Sequence, residues 1–179
     1  SMAVQVDKKV VFMGVGILVG VIGIAIASRW LYNKLDIQTK LKLRQLRPEV
    51  RKKVEKFLIK AQKAGIPLKV TSAYRDCEEQ NKLYAQGRTA PGGIVTNAKC
   101  GQSDHNVGVA VDIVPIVDGR ANYKVPESVW NTIGAIGESV GLSWGGRWTS
   151  FKDRPHFYDR DGKSIAQLWT EQQNLANLA

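Results

Sequence analysis

A chain of 179 residues with 44% apolar residues and five tryptophans has enough hydrophobic side chain for a folded domain, which excludes a disordered polymer. The net charge of +10 is uneven: residues 65–179 carry 12 Lys+Arg against 12 Asp+Glu, whereas residues 33–64 carry 11 against 3. That basic stretch lacks interleaved aromatics and any nucleic-acid module, which argues against nucleic acid as a partner and for anionic lipid or wall polymer.

Residues 1–9 read as a short tail. Residues 10–27 carry no charged side chain and meet the lower limit for a spanning helix, with Trp30 and Tyr32 suited to the interface. Residues 10–32 are therefore expected as a transmembrane or signal-anchor segment. Gly16 and Gly20 have GxxxG spacing, which permits close helix packing. A cleavable signal peptide ending at Ala25-Ile26-Ala27 is the competing reading, and the length of the apolar run favours an anchor. The cations after the segment outnumber Lys8 and Lys9 before it, a balance that favours keeping the C-terminal side in the cytoplasm.

Residues 33–47 are polar and basic and read as a linker or the start of a helix; residues 48–179 read as the main domain. Pro48 suits the first helical position. Val50, Val54, Phe57, Leu58 and Ala61 keep helical spacing up to a stop at Gly65. Residues 68–74 predict a strand. Asp76 and Glu79 resemble a capping box that opens a helix ending near Gly87. Residues 88–102, with Pro91, Gly92, Gly93 and Gly101, form a long loop of the functional kind. Residues 107–114 predict a strand interrupted by Gly108, and residues 126–140 a helix stopped by Gly141. Residues 142–144 and 156–158 predict short strands around a Gly145-Gly146 turn, followed by a terminal helix over 164–175. Short strands among separate helices define an α+β domain with a small antiparallel sheet flanked by helices. Cys77 and Cys100 are either one disulfide of an exported domain or two reduced thiols.

The chemistry concentrates in Ser103-Asp104-His105-Asn106-Val107-Gly108-Val109-Ala110-Val111-Asp112. His105 and Asp112 are seven apart, and the chain's other histidine is His156 in Asp153-Arg154-Pro155-His156-Phe157. Two imidazoles and a carboxylate suit zinc, and three protein ligands leave a fourth position open, as in catalytic sites. On a regular strand, residues seven apart face opposite sides, so a turn or bulge near Gly108 is needed to bring His105 and Asp112 together.

Ser-x-His-x-x-Gly-x-Ala-x-Asp followed about 40 residues later by Asp-x-Pro-His-Phe resembles the zinc D,D-carboxypeptidase/L,D-endopeptidase family. Upstream, Ser72-Ala73-Tyr74-Arg75 matches its Ser-x-Tyr-Arg element. The stretch from Glu79 to Thr89 and Trp144-Gly145-Gly146-Arg147-Trp148 resemble the branch of L-alanyl-D-glutamate endolysins. The resemblance implies a D,D-peptidase/Hedgehog-like fold and Zn2+ held by His105, Asp112 and His156. It further implies Asp153 as general base and Arg75 as the group that steadies the oxyanion. Ser103, Tyr74, Trp144 and Trp148 are candidate substrate contacts, and Asp104 has no assigned role. The implied activity is a zinc metallopeptidase that hydrolyses the peptidoglycan stem peptide, for cell-wall lysis and of phage derivation. Its catalytic domain would face the wall or periplasm, with the membrane engaged by the N-terminal helix. A D,D-carboxypeptidase of wall maintenance and a non-catalytic wall-binding protein with the same fold remain open alternatives.

Overall fold

A computed structural model describes residues 35–178, and a compact unit spans Asp36–Ala179. The expected tail and membrane segment, residues 1–32, lie outside the described residues. Among the described residues no helix is long and apolar enough to cross a membrane.

Helix α1 (Ile37–Arg44) begins where the Asp36 carboxylate accepts from the Thr39 amide at 2.9 Å and the Thr39 hydroxyl at 2.7 Å. Most of the expected 33–47 linker is therefore part of the compact unit. Leu43 and Leu46 are buried, Lys42 Nζ donates to Thr71 O at 2.8 Å, and Arg47 Nε donates to Val107 O at 3.0 Å. Its cations cap backbone carbonyls of the domain as well as meeting solvent, which composition alone does not reveal. Helix α2 (Pro48–Lys63) buries the predicted stripe of Val50, Val54, Phe57, Leu58 and Ala61. Each large apolar side chain there contributes roughly 1.5–3 kcal/mol of burial.

Strand β1 (Leu68–Ser72) pairs antiparallel with β2 (Ala110–Val117), which pairs with β5 (His156–Tyr158), which pairs with β4 (Ser143–Trp144). The short β3 (Arg120–Ala121) folds back on the end of β2 through Asp118-Gly119, both at positive φ. An Asp-Gly pair in that conformation is a strong hairpin signal, and the sequence reading passed over it. Helix α3 (Cys77–Ala85) starts at Asp76, whose side chain accepts from the Glu79 amide. Cys77 is disulfide-bonded to Cys100, which ties the head of α3 to the end of the long loop. Closing a loop of that length contributes roughly 3 kcal/mol on the chain-entropy view.

Helix α4 (Glu127–Glu138) lies across the sheet, where Gly134 leaves room for the Trp144 ring and Gly137 for Phe157. Phe157 also packs on Phe57 of α2 at 4.7 Å between ring centroids. Helix α5 (Ile165–Ala176) opens with the Ser164/Gln167 capping box. The layers give the expected α+β architecture: a small antiparallel sheet with helices against it.

Candidate metal centre

The centre is assembled by β2, β5 and the turn before β2. Residues Asp104–Val107 form a 3-10 helix in place of the start of the predicted strand. Ser103 caps it, its Oγ accepting from the His105 amide at 3.3 Å. Gly108 ends it in the left-handed region at φ 67°. That turn is what brings His105 to the same side as Asp112. Asp112 and His156 are direct cross-strand partners on β2 and β5, so their side chains share a face.

Donor atoms of His105, Asp112 and His156 lie within 4.8 Å of one another. His105 Nε2 and His156 Nδ1 each stand 3.2 Å from the same oxygen, Asp112 Oδ1. His105 Nδ1 donates to Ala73 O at 2.5 Å, which assigns its proton to that nitrogen and leaves a lone pair on Nε2 aimed at the carboxylate. Two imidazole nitrogens and a carboxylate oxygen so placed form a donor set for a cation among them. Nitrogen and oxygen ligands at about 2.0–2.2 Å from a tetrahedral ion are separated by ~3.3 Å, and the two 3.2 Å spacings match that edge. The residues therefore fit a small divalent metal.

The electrostatics agree. Burial works to raise the Asp112 pKa, but His105 and then His156 outweigh it and hold the carboxyl far below its usual range. For His156, burial works to lower the pKa, and Asp104, Asp112 and Asp153 overcome it and raise it to about 9 in the metal-free protein. Asp153 is pushed upward, first by burial and also by the Asp112 charge, against the pull of His156, His105 and Arg75. Its backbone N–H donates to Gly145 O at 3.1 Å. Gly145 is the point of close approach: a Cβ there would meet Asp153 O at 2.6 Å and His156 Cβ at 3.2 Å.

Arg75 reaches the centre from behind. Its Nη2 donates to Asp112 Oδ2 at 2.7 Å, its Nε to Ser72 Oγ at 3.0 Å and its Nη1 to Gln80 Oε1 at 3.5 Å. The guanidinium thus holds the carboxylate oxygen that the histidines leave free. Trp148 stands beside the His156 ring, 5.4 Å between centroids, and so does Tyr158, also at 5.4 Å.

One expected substrate contact lies in the core. Trp144 is buried in the core, its indole N–H donating to Arg154 O at 2.8 Å and its ring stacked with Phe157. The large aromatic is packing for α4 and no groove wall. Tyr74 lines a cavity of about 820 Å³ bounded by Leu46, Val107 and Leu168, which includes none of the three candidate ligands. Sequence reasoning also passed over Asp104, whose carboxylate is buried beside His156, and the steric need for Gly145; adjacency to His105 and the Gly-Gly pair were the only signals for them.

A small antiparallel sheet thus carries a buried His-Asp-His cluster with a raised carboxyl and an arginine beside it, a set that suits a hydrolytic metal centre. A family model described as D-alanyl-D-alanine carboxypeptidase, of the M15 peptidases, matches residues 96–159. The peptidoglycan L-alanyl-D-glutamate endopeptidase CwlK of Bacillus subtilis (strain 168) is 38% identical over 122 residues, covering 62% of this chain and 71% of the relative. The chain belongs to the M15 peptidase family. Among solved structures, the Serratia marcescens L-Ala D-Glu endopeptidase ChiX matches with TM-score 0.53 and 19% identity, over 69% of this chain and 87% of that one. The LD-carboxypeptidase LdcB matches with TM-score 0.51 and 20% identity, over 71% of each chain. A variant of the vancomycin-resistance D,D-pentapeptidase VanY, solved with Zn(II), matches with TM-score 0.50 and 16% identity, over 70% of this chain and 78% of that one. These likenesses establish the fold.

Proposed function

We propose that this chain is a zinc-dependent peptidoglycan endopeptidase that hydrolyses the L-alanyl–D-glutamate bond of the stem peptide. The observation that carries the reading is the convergence of His105 Nε2 and His156 Nδ1 on Asp112 Oδ1. The 38% identity to an endopeptidase of that bond supports the substrate.

His105, Asp112 and His156 would hold the ion, and zinc there supplies Lewis acidity toward a carbonyl oxygen and toward water. Asp153 takes a proton from the attacking water onto its carboxylate and returns it to the amide nitrogen as the bond breaks. Its burial and raised pKa suit that exchange, because a carboxylate far below its usual range gives up and regains protons poorly near neutrality. Arg75 keeps Asp112 oriented, and its remaining N–H groups are available to an oxygen that gains charge. Trp148 and Tyr158 wall the His156 side of the site.

Digestion of purified sacculi followed by mass spectrometry tests the bond. New D-glutamate amino termini are expected. Loss of terminal D-alanine alone would replace the reading with a carboxypeptidase, and intact muropeptides with zinc bound would replace it with a wall-binding protein.

We further propose that residues 10–32 anchor the catalytic domain on the wall side of the membrane. The Cys77–Cys100 disulfide supports an oxidising compartment, against the pull of the flanking charges. A phage source belongs to the same proposal, with the anchor either permanent or released on depolarisation. Fractionation and protease accessibility in intact spheroplasts check the topology; a protected domain would overturn it.

A further inference from the structure

His156 is held between two carboxylates, one at each ring nitrogen. Nδ1 faces Asp112, and Nε2 stands 3.5 Å from Asp104 Oδ2. At that distance the contact is an ion pair and not a formed hydrogen bond. Among the described residues, Nε2 is the buried side-chain nitrogen or oxygen without a hydrogen-bond partner. An N–H left bare in a buried site is costly, and once Nδ1 is given to a metal the neutral ring carries its one proton on Nε2. The acceptor set to receive it is Asp104.

Asp104 is itself an expensive residue to bury. Its carboxylate is almost fully buried and is fixed by a bidentate fork from Arg160: Nε to Oδ1 at 2.6 Å and Nη2 to Oδ2 at 2.9 Å. Arg160 in turn lies over the Tyr158 ring, which flanks His156. The 3-10 turn is capped by Ser103 and ended by Gly108, so neither of its ends depends on the Asp104 side chain. One turn thus provides a ligand through His105 and a neighbour to the other ligand through Asp104.

We propose that Asp104, locked by Arg160, is the positioning residue of His156: it accepts a hydrogen bond from Nε2–H and so fixes the ring with Nδ1 turned to the metal. The inference rests on His156 acting as a ligand through Nδ1. A carboxylate behind a ligating histidine raises its basicity and sets its tautomer, and loss of such a partner typically weakens metal binding by about 10–100-fold. A bridge that only ties the turn to the segment after β5 would change stability and leave metal affinity alone.

The test uses the full chain and zinc itself. Zinc dissociation constants are measured by chelator competition for the unsubstituted protein, Asp104→Ala, Asp104→Asn, Arg160→Gln and His156→Ala, with metal-free melting recorded for each. Expected is a loss of affinity of about 10–100-fold in Asp104→Ala. Asp104→Asn, which keeps an acceptor but no charge, should fall between, and so should Arg160→Gln. The cobalt(II) absorption spectrum should change in Asp104→Ala even at saturating metal, because the ring is no longer fixed. Asp104→Asn carries the test if the alanine variant does not fold. Zinc affinity within twofold of the unsubstituted protein in the Asp104 variants, with affinity lost in His156→Ala, overturns the inference and leaves the metal centre standing. Unchanged affinity in His156→Ala overturns the metal assignment, and the inference with it.

Discussion

Replacing Arg75 separates two tasks that meet in one guanidinium. Of the five N–H donors of an arginine, three are engaged, with Asp112, Ser72 and Gln80. Two remain for substrate. Arg75→Ala removes the partner of Asp112 Oδ2 from a pair whose side chains are only 13% and 18% exposed. Breaking a buried pair on one side costs about 3–5 kcal/mol in the metal-free protein. Weaker orientation of Asp112 should lower zinc affinity by about 10–100-fold. Loss of an oxyanion donor should separately lower kcat by about 10²–10³. Arg75→Lys keeps the charge and gives up the fork, so it should recover part of the stability and little of kcat. The assay is muropeptide hydrolysis at saturating zinc, alongside chelator competition for affinity. Full kcat in Arg75→Lys and Arg75→Ala once zinc is saturating would refute the oxyanion task and leave Arg75 as a holder of Asp112. Unchanged zinc affinity would refute the holding task.

Asp153→Asn should retain zinc and lose about 10²–10⁴ in kcat, read by the same two assays; turnover near that of the unsubstituted protein would move the base elsewhere. Gly145→Ala places a Cβ against Asp153 O and His156 Cβ, so it should lower both kcat and zinc affinity, and a fully active variant would show that the loop yields at no cost. The metal-free protein should lose stability between pH 6.5 and about 9. His156 has a folded pKa raised from 6.5 to about 9, so its contribution is complete below pH 6.5 and disappears as pH rises through 9. The span corresponds to roughly 3 kcal/mol. Urea unfolding in excess chelator reads it, and zinc affinity should rise over the same window as the proton leaves; flat stability across it would contradict the carboxylate cage around His156.

What could be read from the sequence was local. The Pro48 start and the Val50-to-Ala61 stripe, the Asp76 cap, the Gly141 stop and the Ser164 helix start all act within a turn of themselves, and each marks an element that formed. The ligand trio was legible through a motif and not through periodicity: His105 and Asp112 have the wrong spacing for one strand face, and only the left-handed Gly108 turn reconciles them. Features set by distant partners were not legible. Leu43, Thr39 and Leu46 bury α1 against the domain, yet the surrounding cations made that stretch look solvated. Trp144 reads as either a groove wall or core, and what decides is Gly134, ten residues earlier on another element. Asp104 finds its partner in Arg160, 56 residues away.

The core and the metal centre are two faces of one strand register. His156 and Phe157 are consecutive on β5, so one faces the centre and the other the helices. Phe157 is fully buried against Phe57, the stacked Trp144 ring and the gap left by Gly137. A slip of β5 by one residue would turn His156 into that apolar layer and Phe157 onto Asp112, exchanging every side chain between faces. The slip would bury an imidazole among aromatic rings without a partner and strip Phe157 of its packing, which truncation data put at about 3–5 kcal/mol for a buried Phe. The pairing Asp112↔His156 is therefore enforced from the opposite side of the sheet. Neither residue specifies it. That division explains how a centre with so few regular strand residues is positioned: Phe157 holds the register, Ala73 O and Asp104 orient the two rings, and Arg75 orients the carboxylate between them.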